Sequence, residues 1–222
     1  MPSLMYHIAF AELVYQKVSK SLKLDKTKFL EGNLIPDLAT DKKLSHYRMP
    51  ASKAGFVVPN MSMVRKDLFD LSNPVKLGMY THLYLDYHFI EGFLIPEFIW
   101  DVENNLGINP RNKKTWTKES FFPNNKQDGI YGAYTEINHL LIRDGRVPAT
   151  IFDEIPEILT DTGIAVYDTR REKTWAKELK GYFAENRPYT GDIFNYDRLW
   201  SAIESMAEDV AKEIINVATK TA

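Results

Sequence analysis

Cysteine is absent from the 222 residues, which excludes a disulfide framework and a thiolate metal site. The charges are nearly balanced, with 28 Lys and Arg against 30 Asp and Glu, so nothing indicates a surface that coats nucleic acid or acidic lipid. No apolar run approaches the roughly 20 residues that a membrane-spanning helix needs. The first residues, MPSLMYHIAF, lack the features of a signal peptide. We therefore expect a cytoplasmic protein that must use His, Asp and Glu to bind any metal ion.

Internal repeats, low-complexity tracts and regular strand alternation are missing as well. Apolar residues recur at helical spacing from about Leu4 to Ser21 and from Arg198 to about Thr219. A central helix is expected to begin at Asn73-Pro74, because Asn caps helices well and Pro suits the first helical position. The sequence thus predicts a single all-α domain over residues 1–222, with a polar excursion near 101–133.

Shorter elements are predicted between these helices. Gly32 and Pro36 predict a buried turn that leads into Asp37, and the small residues and prolines of 48–63 predict a loop. Gly92 and Pro96 predict the end of the central helix or a kink in it. Further helices are expected at about 63–71, 134–143, 148–159 and 164–183.

Two side chains of the central helix are candidates for metal binding. His82 and Asp86 stand four residues apart in LGMYTHLYLDYHFIEGF, residues 77–93, and therefore share one helix face. Such a pair can bind a divalent metal, although by itself it more often forms a plain hydrogen bond. Asp37 follows a proline between apolar residues, and a buried carboxylate needs a partner or a metal ion. His7 lies in the apolar stripe of the first helix, where a histidine usually bonds to a backbone group.

One ordered set of residues resembles a known family. The set consists of His7, the motif Gly32-x-x-x-Pro36-Asp37, Ser45-His46-Tyr47, Leu77-Gly78 and His82-x-x-x-Asp86. Over about the first hundred residues it resembles the zinc-dependent phospholipase C family, whose all-helical fold is shared with zinc-dependent single-strand nucleases. The resemblance implies that Asp37, His46, His82 and Asp86 hold one zinc ion, and that His7 helps to hold a neighbouring metal together with Asp86.

The same resemblance implies a chemistry. A metal-activated water would hydrolyse a small phosphoester, with no catalytic residue needed beyond the metal ligands. Secreted members of the family begin with a metal-binding tryptophan, whereas this chain begins Met-Pro-Ser. We therefore expect one or two ions instead of the family's three, with zinc or another divalent metal in the site.

A second metal site could form from the pairs His88-x-x-Glu91 and Glu136-x-x-His139, although ordinary core roles are favoured for these four residues. Another chemical possibility is a helical nucleotide phosphohydrolase of the His…His-Asp…Asp kind, which is disfavoured because Tyr47 and not Asp follows His46.

Two alternatives are of a different kind. The chain could be a metal-binding or structural protein that has kept the fold without turnover. A lipid-binding surface has little support, because the aromatic residues that suggest it fit a helical core equally well. These residues are Phe89, Phe93, Phe98 and Trp100.

Overall fold

The computed structural model describes residues 3–39, 41–52, 55–101, 103–104, 106–125, 127–148, 150–151, 155, 159–167, 180–181, 183 and 187–221. The protein is mostly helical, with 59% helix, but it also contains two small antiparallel sheets. The expectation of a purely all-α domain is therefore right only for the dominant element type. In the described residues, no helix is long and apolar enough to cross a membrane.

The helices follow the predicted apolar periodicity closely at both ends of the chain. They are α1 (Leu4–Val18), α2 (Lys26–Leu38), α3 (Lys42–Ser45), α4 (Met61–Leu68), α5 (Pro74–His88), α6 (Ile95–Glu97), α7 (Lys118–Phe121), α8 (Gly129–Arg143) and α9 (Tyr196–Thr221). As predicted, Asn73 caps α5, because its side chain accepts a hydrogen bond from Lys76 N at 3.1 Å. The predicted kink after α5 is a π-helix over Phe89–Leu94.

The strands occupy two segments that were expected to lack regular structure. Within the predicted loop 48–63, β1 (Arg48–Pro50) pairs antiparallel with β2 (Val57–Pro59). At the start of the predicted excursion and within it, β3 (Ile99–Asp101), β4 (Leu106–Ile108) and β5 (Thr115–Thr117) form an antiparallel sheet in chain order. Strands of three residues are too short to produce a detectable alternation of apolar and polar residues, which explains why the sequence pattern missed them.

The turn predicted at Gly32 and Pro36 is wrong, because both residues lie inside the continuous helix α2. Gly32 serves helix packing instead: a Cβ there would lie 2.0 Å from Val75 O on α5. Gly78 makes the reciprocal approach, since its Cβ would lie 2.1 Å from Phe29 O on α2. The two glycines therefore let the backbones of α2 and α5 come into direct contact.

The C-terminal helix α9 packs against α1 and completes the core. Its buried stripe has the three-four spacing that the sequence predicted, through Leu199, Ile203, Val210 and Ile214. The aromatic residues considered for lipid binding also belong to the core: Phe89, Phe93 and Phe98 are buried, and Trp100 packs its ring against Phe56. Many residues of the helices predicted at 148–159 and 164–183 lie outside the described part of the chain.

Candidate metal centre

Five side chains from four segments meet at one point in the core. Helix α1 supplies one of them, α2 another, the end of α3 a third and α5 two; they are His7, Asp37, His46, His82 and Asp86. Four of the five are 0% exposed, and only the Asp37 side chain, 13% exposed, reaches the surface. The structure thus brings together the five residues that the family resemblance implied as metal ligands.

The imidazole Nε2 atoms face the two carboxylates at close range. His46 Nε2 lies 3.6 Å from Asp37 Oδ1 and 3.5 Å from Asp86 Oδ2. His82 Nε2 lies 3.7 Å from Asp86 Oδ2 and 4.0 Å from Asp37 Oδ2. These separations exceed hydrogen-bond length, but they suit groups that share a central cation.

His7 stands beside this group. Its Nε2 lies 3.4 Å from Asp86 Oδ1, and its ring stacks on that of His82 with 3.6 Å between centroids and 5° between planes. Because His7 approaches the Asp86 oxygen that His46 and His82 do not use, it extends the cluster to the other side of that carboxylate.

The orientation of His82 is fixed by the backbone of α2. Its Nδ1 lies 2.7 Å from the carbonyl oxygen of Asn33, and a nitrogen that faces a carbonyl must carry the ring proton. The lone pair of the neutral ring is therefore on Nε2, which points into the cluster. Metal-binding histidines in proteins are commonly held by such an Nδ1 hydrogen bond.

His46 is oriented through Ser45. The Ser45 hydroxyl donates to Pro36 O at 3.1 Å, so it must accept the proton of His46 Nδ1 at 2.8 Å. The hydroxyl of buried Tyr167 donates a hydrogen bond to the Ser45 carbonyl oxygen at 2.7 Å and so helps to fix the position of Ser45. As with His82, the lone pair of the neutral ring is left on Nε2.

The residue after His46 has an unusual backbone. Tyr47 has a φ of 47°, in the left-handed region that bulky residues rarely adopt. Two hydrogen bonds hold this conformation, from Tyr47 N to Leu44 O at 3.1 Å and from Asn60 N to Tyr47 O at 2.9 Å. Backbone strain of this kind concentrates at functional sites, and here it lets the chain leave α3 while His46 stays in the core.

The protonation states match those of metal ligands. Burial and the neighbouring His7 lower the pKa of His82 to about 3, against the attraction of Asp37 and Asp86. Burial tends to raise the pKa of Asp86, but His7, His82 and His46 outweigh it and hold that pKa below its usual value. For Asp37 burial acts in the same direction, and the surrounding histidines and Lys42 bring its pKa well below the usual range. Near neutral pH the site therefore combines a neutral imidazole at His82 with two carboxylates.

The residues present fit a divalent cation. Within the described part of the chain, His46 Nε2, His82 Nε2 and both Asp86 oxygens are buried without any hydrogen-bond partner. Leaving one buried polar group unpaired costs roughly 1–3 kcal/mol, and a bound cation would satisfy several such groups at once. Two imidazoles and two carboxylates are a ligand set that zinc accepts, and the two negative charges balance its charge.

The geometry favours one ion at this position. The residues that could hold a metal form two overlapping groups, His7 with Asp37 and His82, and His46 with His82 and Asp86. Both groups need His82, whose Nδ1 is already bonded to Asn33. Since Nε2 has a single lone pair, His82 cannot bind two ions at once.

The other candidate ligands are elsewhere. Among the described residues, no group able to hold a metal includes His88, Glu91, Glu136 or His139. The His88 ring packs against Tyr84 at 4.1 Å between centroids. Glu91 accepts a hydrogen bond from Ser52 N at 2.6 Å, and Glu136 accepts one from Thr190 N at 2.9 Å. These contacts give His88, Glu91 and Glu136 roles outside a metal site; the sequence favoured ordinary core roles for them.

Sequence reasoning missed the residues that orient the ligands. Ser45 precedes His46 directly, so its role could have been suspected from the Ser-His pair. Asn33 acts through its backbone carbonyl, which any residue type provides. Tyr167 lies 122 positions from Ser45 and has no sequence signal.

Comparison with family models, with curated proteins and with solved structures gives no match for this chain.

Proposed function

We propose that the protein is a metal-dependent hydrolase that acts on a phosphoester. The observation that carries the proposal is the convergence of His46, His82, Asp37 and Asp86 on one buried point, with the lone pairs of two imidazoles directed inward and without partners. The choice of a phosphoester rests on the motif resemblance to the zinc-dependent phospholipase C family, and so does the specific fold type.

The roles of the chain follow from the geometry. His46 and His82 would hold zinc through Nε2, and Asp37 and Asp86 would neutralise its charge. Asn33 and Ser45 keep the two imidazoles in the tautomer that binds metal. Bound there, zinc would supply a water of lowered pKa, about 7, as a nucleophile near neutral pH. His7 approaches Asp86 Oδ1 and would steady that carboxylate.

A test begins with the metal content of the purified protein, by elemental analysis before and after chelation, together with a panel of phosphomonoesters and phosphodiesters. His46→Ala and Asp86→Asn should both lose the metal and any hydrolysis together. His88→Ala is the matched control, because His88 is on the same helix as Asp86 but outside the cluster. Full metal content in both site variants would refute the proposal.

A second candidate function is metal binding without turnover. It is favoured by the count of four protein ligands and the complete burial of three of them, since closed four-ligand zinc sites are structural. Replacement of zinc by cobalt(II) separates the two, because the visible spectrum of cobalt reports coordination number. A four-coordinate spectrum that phosphate leaves unchanged, with no hydrolysis, would support the structural role.

The lack of cysteine keeps the cytoplasm as the proposed location.

A further inference from the structure

Buried polar groups without partners continue beyond the metal cluster, on helix α8. Tyr134 is 6% exposed and Asn138 is 2% exposed. In the described part of the chain, the Tyr134 hydroxyl and the Asn138 Nδ2 have no hydrogen-bond partner. The two residues are four positions apart and therefore lie on the same face of α8.

This face of α8 lies against the part of α1 that carries His7. The rings of Tyr6 and Tyr134 meet edge to face, with 5.7 Å between centroids. Ser3 donates a hydrogen bond to Asn138 Oδ1, which leaves Nδ2 as the unpaired end of that amide. Because Ser3 and His7 are also four residues apart, His7 follows Ser3 along the side of α1 that α8 covers.

Tyr134 is also within electrostatic reach of Asp86. Burial, followed by the negative charge of Asp86, raises the pKa of Tyr134 well above its usual value. A phenol carries its proton at neutral pH even with its ordinary pKa, so the unpaired Tyr134 hydroxyl can act as a hydrogen-bond donor. Asp86 thus lies 3.4 Å from His7 and also acts electrostatically on the Tyr134 hydroxyl.

The chemistry of these groups indicates what they would bind. A phenol hydroxyl and an amide nitrogen both donate hydrogen bonds, and neither is a usual zinc ligand. Two buried donors require an acceptor, because a buried donor without a partner destabilises the folded protein. An oxygen with a negative charge, held next to a cation, satisfies both donors.

We propose that Tyr134 and Asn138 bind the non-bridging oxygens of a phosphoryl group that lies beside the metal ion. The inference rests on the proposed function and adds to it the side chains that hold the substrate. Ser3, which donates a hydrogen bond to Asn138, is partly exposed at the start of α1, so the ligand would approach the two donors from that side.

The test uses zinc-loaded full-length protein, freed of excess zinc by gel filtration, and inorganic phosphate as the probe in calorimetric titrations. Tyr134→Phe removes only the donor hydroxyl, and Asn138→Leu removes the amide with little change of volume. Tyr6→Phe is the matched control, because Tyr6 is also a fully buried tyrosine with an unpaired hydroxyl, on the neighbouring helix. Zinc content is measured for every variant.

We expect Tyr134→Phe and Asn138→Leu each to weaken phosphate binding about 10- to 100-fold, the usual value of a hydrogen bond to a charged group, at unchanged zinc content. Tyr6→Phe should bind phosphate like the natural protein. Dimethyl phosphate in place of phosphate shows whether a diester or the free product is bound more tightly by the same donors.

Equal phosphate affinity in Tyr134→Phe and the natural protein would overturn the inference. Absence of phosphate binding to the zinc-loaded protein would overturn it too, while the metal site itself stands. If the protein binds no metal, the proposed function fails first, and this inference fails with it.

Discussion

Gly78→Ala tests the packing that builds the site. A Cβ at position 78 would lie 2.1 Å from Phe29 O and 2.9 Å from Asn33 N, both of them backbone atoms that cannot rotate away. Ordinary contact begins at 3.4 Å, so α2 and α5 would have to separate by about 1.3 Å. Overpacking costs typically 1–3 kcal/mol, and a backbone clash is at the upper end of that range.

The expected loss of stability follows from these values. Alanine regains about 1 kcal/mol of helix propensity, which leaves a net destabilisation of about 2 kcal/mol. For a chain of this length that lowers Tm by about 4–8 °C, measured by calorimetry on the metal-free protein. Zinc affinity should also fall at least tenfold, because the Asn33 carbonyl moves away from His82.

Gly92→Ala is the matched control for that experiment. Gly92 also lies in a helical segment, but a Cβ there meets nothing within 4 Å. Alanine should therefore leave Tm unchanged or raise it slightly. If Gly78→Ala and Gly92→Ala have the same Tm, the close approach of α2 and α5 does not hold this fold together, and the reasoning is refuted.

Two further predictions concern the imidazoles. Ser45→Ala should weaken zinc binding about 10- to 100-fold in a competition titration, because the tautomer of His46 is no longer fixed, whereas Ser62→Ala on the surface should leave it unchanged. In metal-free protein the unfolded chain binds a proton at His82 below pH 6.5 and the folded chain does not until about pH 3, so stability should fall as the pH is lowered. We expect the free energy of unfolding, measured with urea, to fall by up to about 1.4 kcal/mol per pH unit between pH 6.5 and 4.5. The experiment uses His88→Ala, because burial also lowers the pKa of His88. Equal stability at the two pH values would contradict the prediction.

The ligand positions could be predicted from the sequence because each stands in a local pattern. His82 and Asp86 share a helix face by spacing alone, and their helix is marked by the cap at Asn73. Asp37 was found for a partly wrong reason: it is in the last turn of a helix and not in a loop. A proline inside a helix is uncommon, so the local rule favoured a turn, and tertiary packing of α2 against α5 overrode it.

The strands and the orienting contacts could not be predicted in the same way. Strands of three residues have no measurable periodicity, and β3, β4 and β5 are stabilised by pairing across a segment rich in turn residues. The contact from Tyr167 to Ser45 joins distant parts of the chain, and no local rule detects it. Tyr134 and Asn138 have the same four-residue spacing as His82 and Asp86, but this spacing becomes informative only once α8 is known to pack against α1.

The metal site and the helix packing depend on the same two backbones. Gly32 and Gly78 bring α2 and α5 so close that a backbone carbonyl of one reaches a ring nitrogen on the other at 2.7 Å. The bond between Asn33 and His82 is a single contact that is lost once its atoms move beyond about 3.2 Å, whereas helix packing is the sum of many small contacts, and a small shift leaves part of them in place. A small separation of the two helices should therefore weaken the metal site before it unfolds the protein. Zinc affinity is for this reason the more sensitive measure of how α2 and α5 are packed.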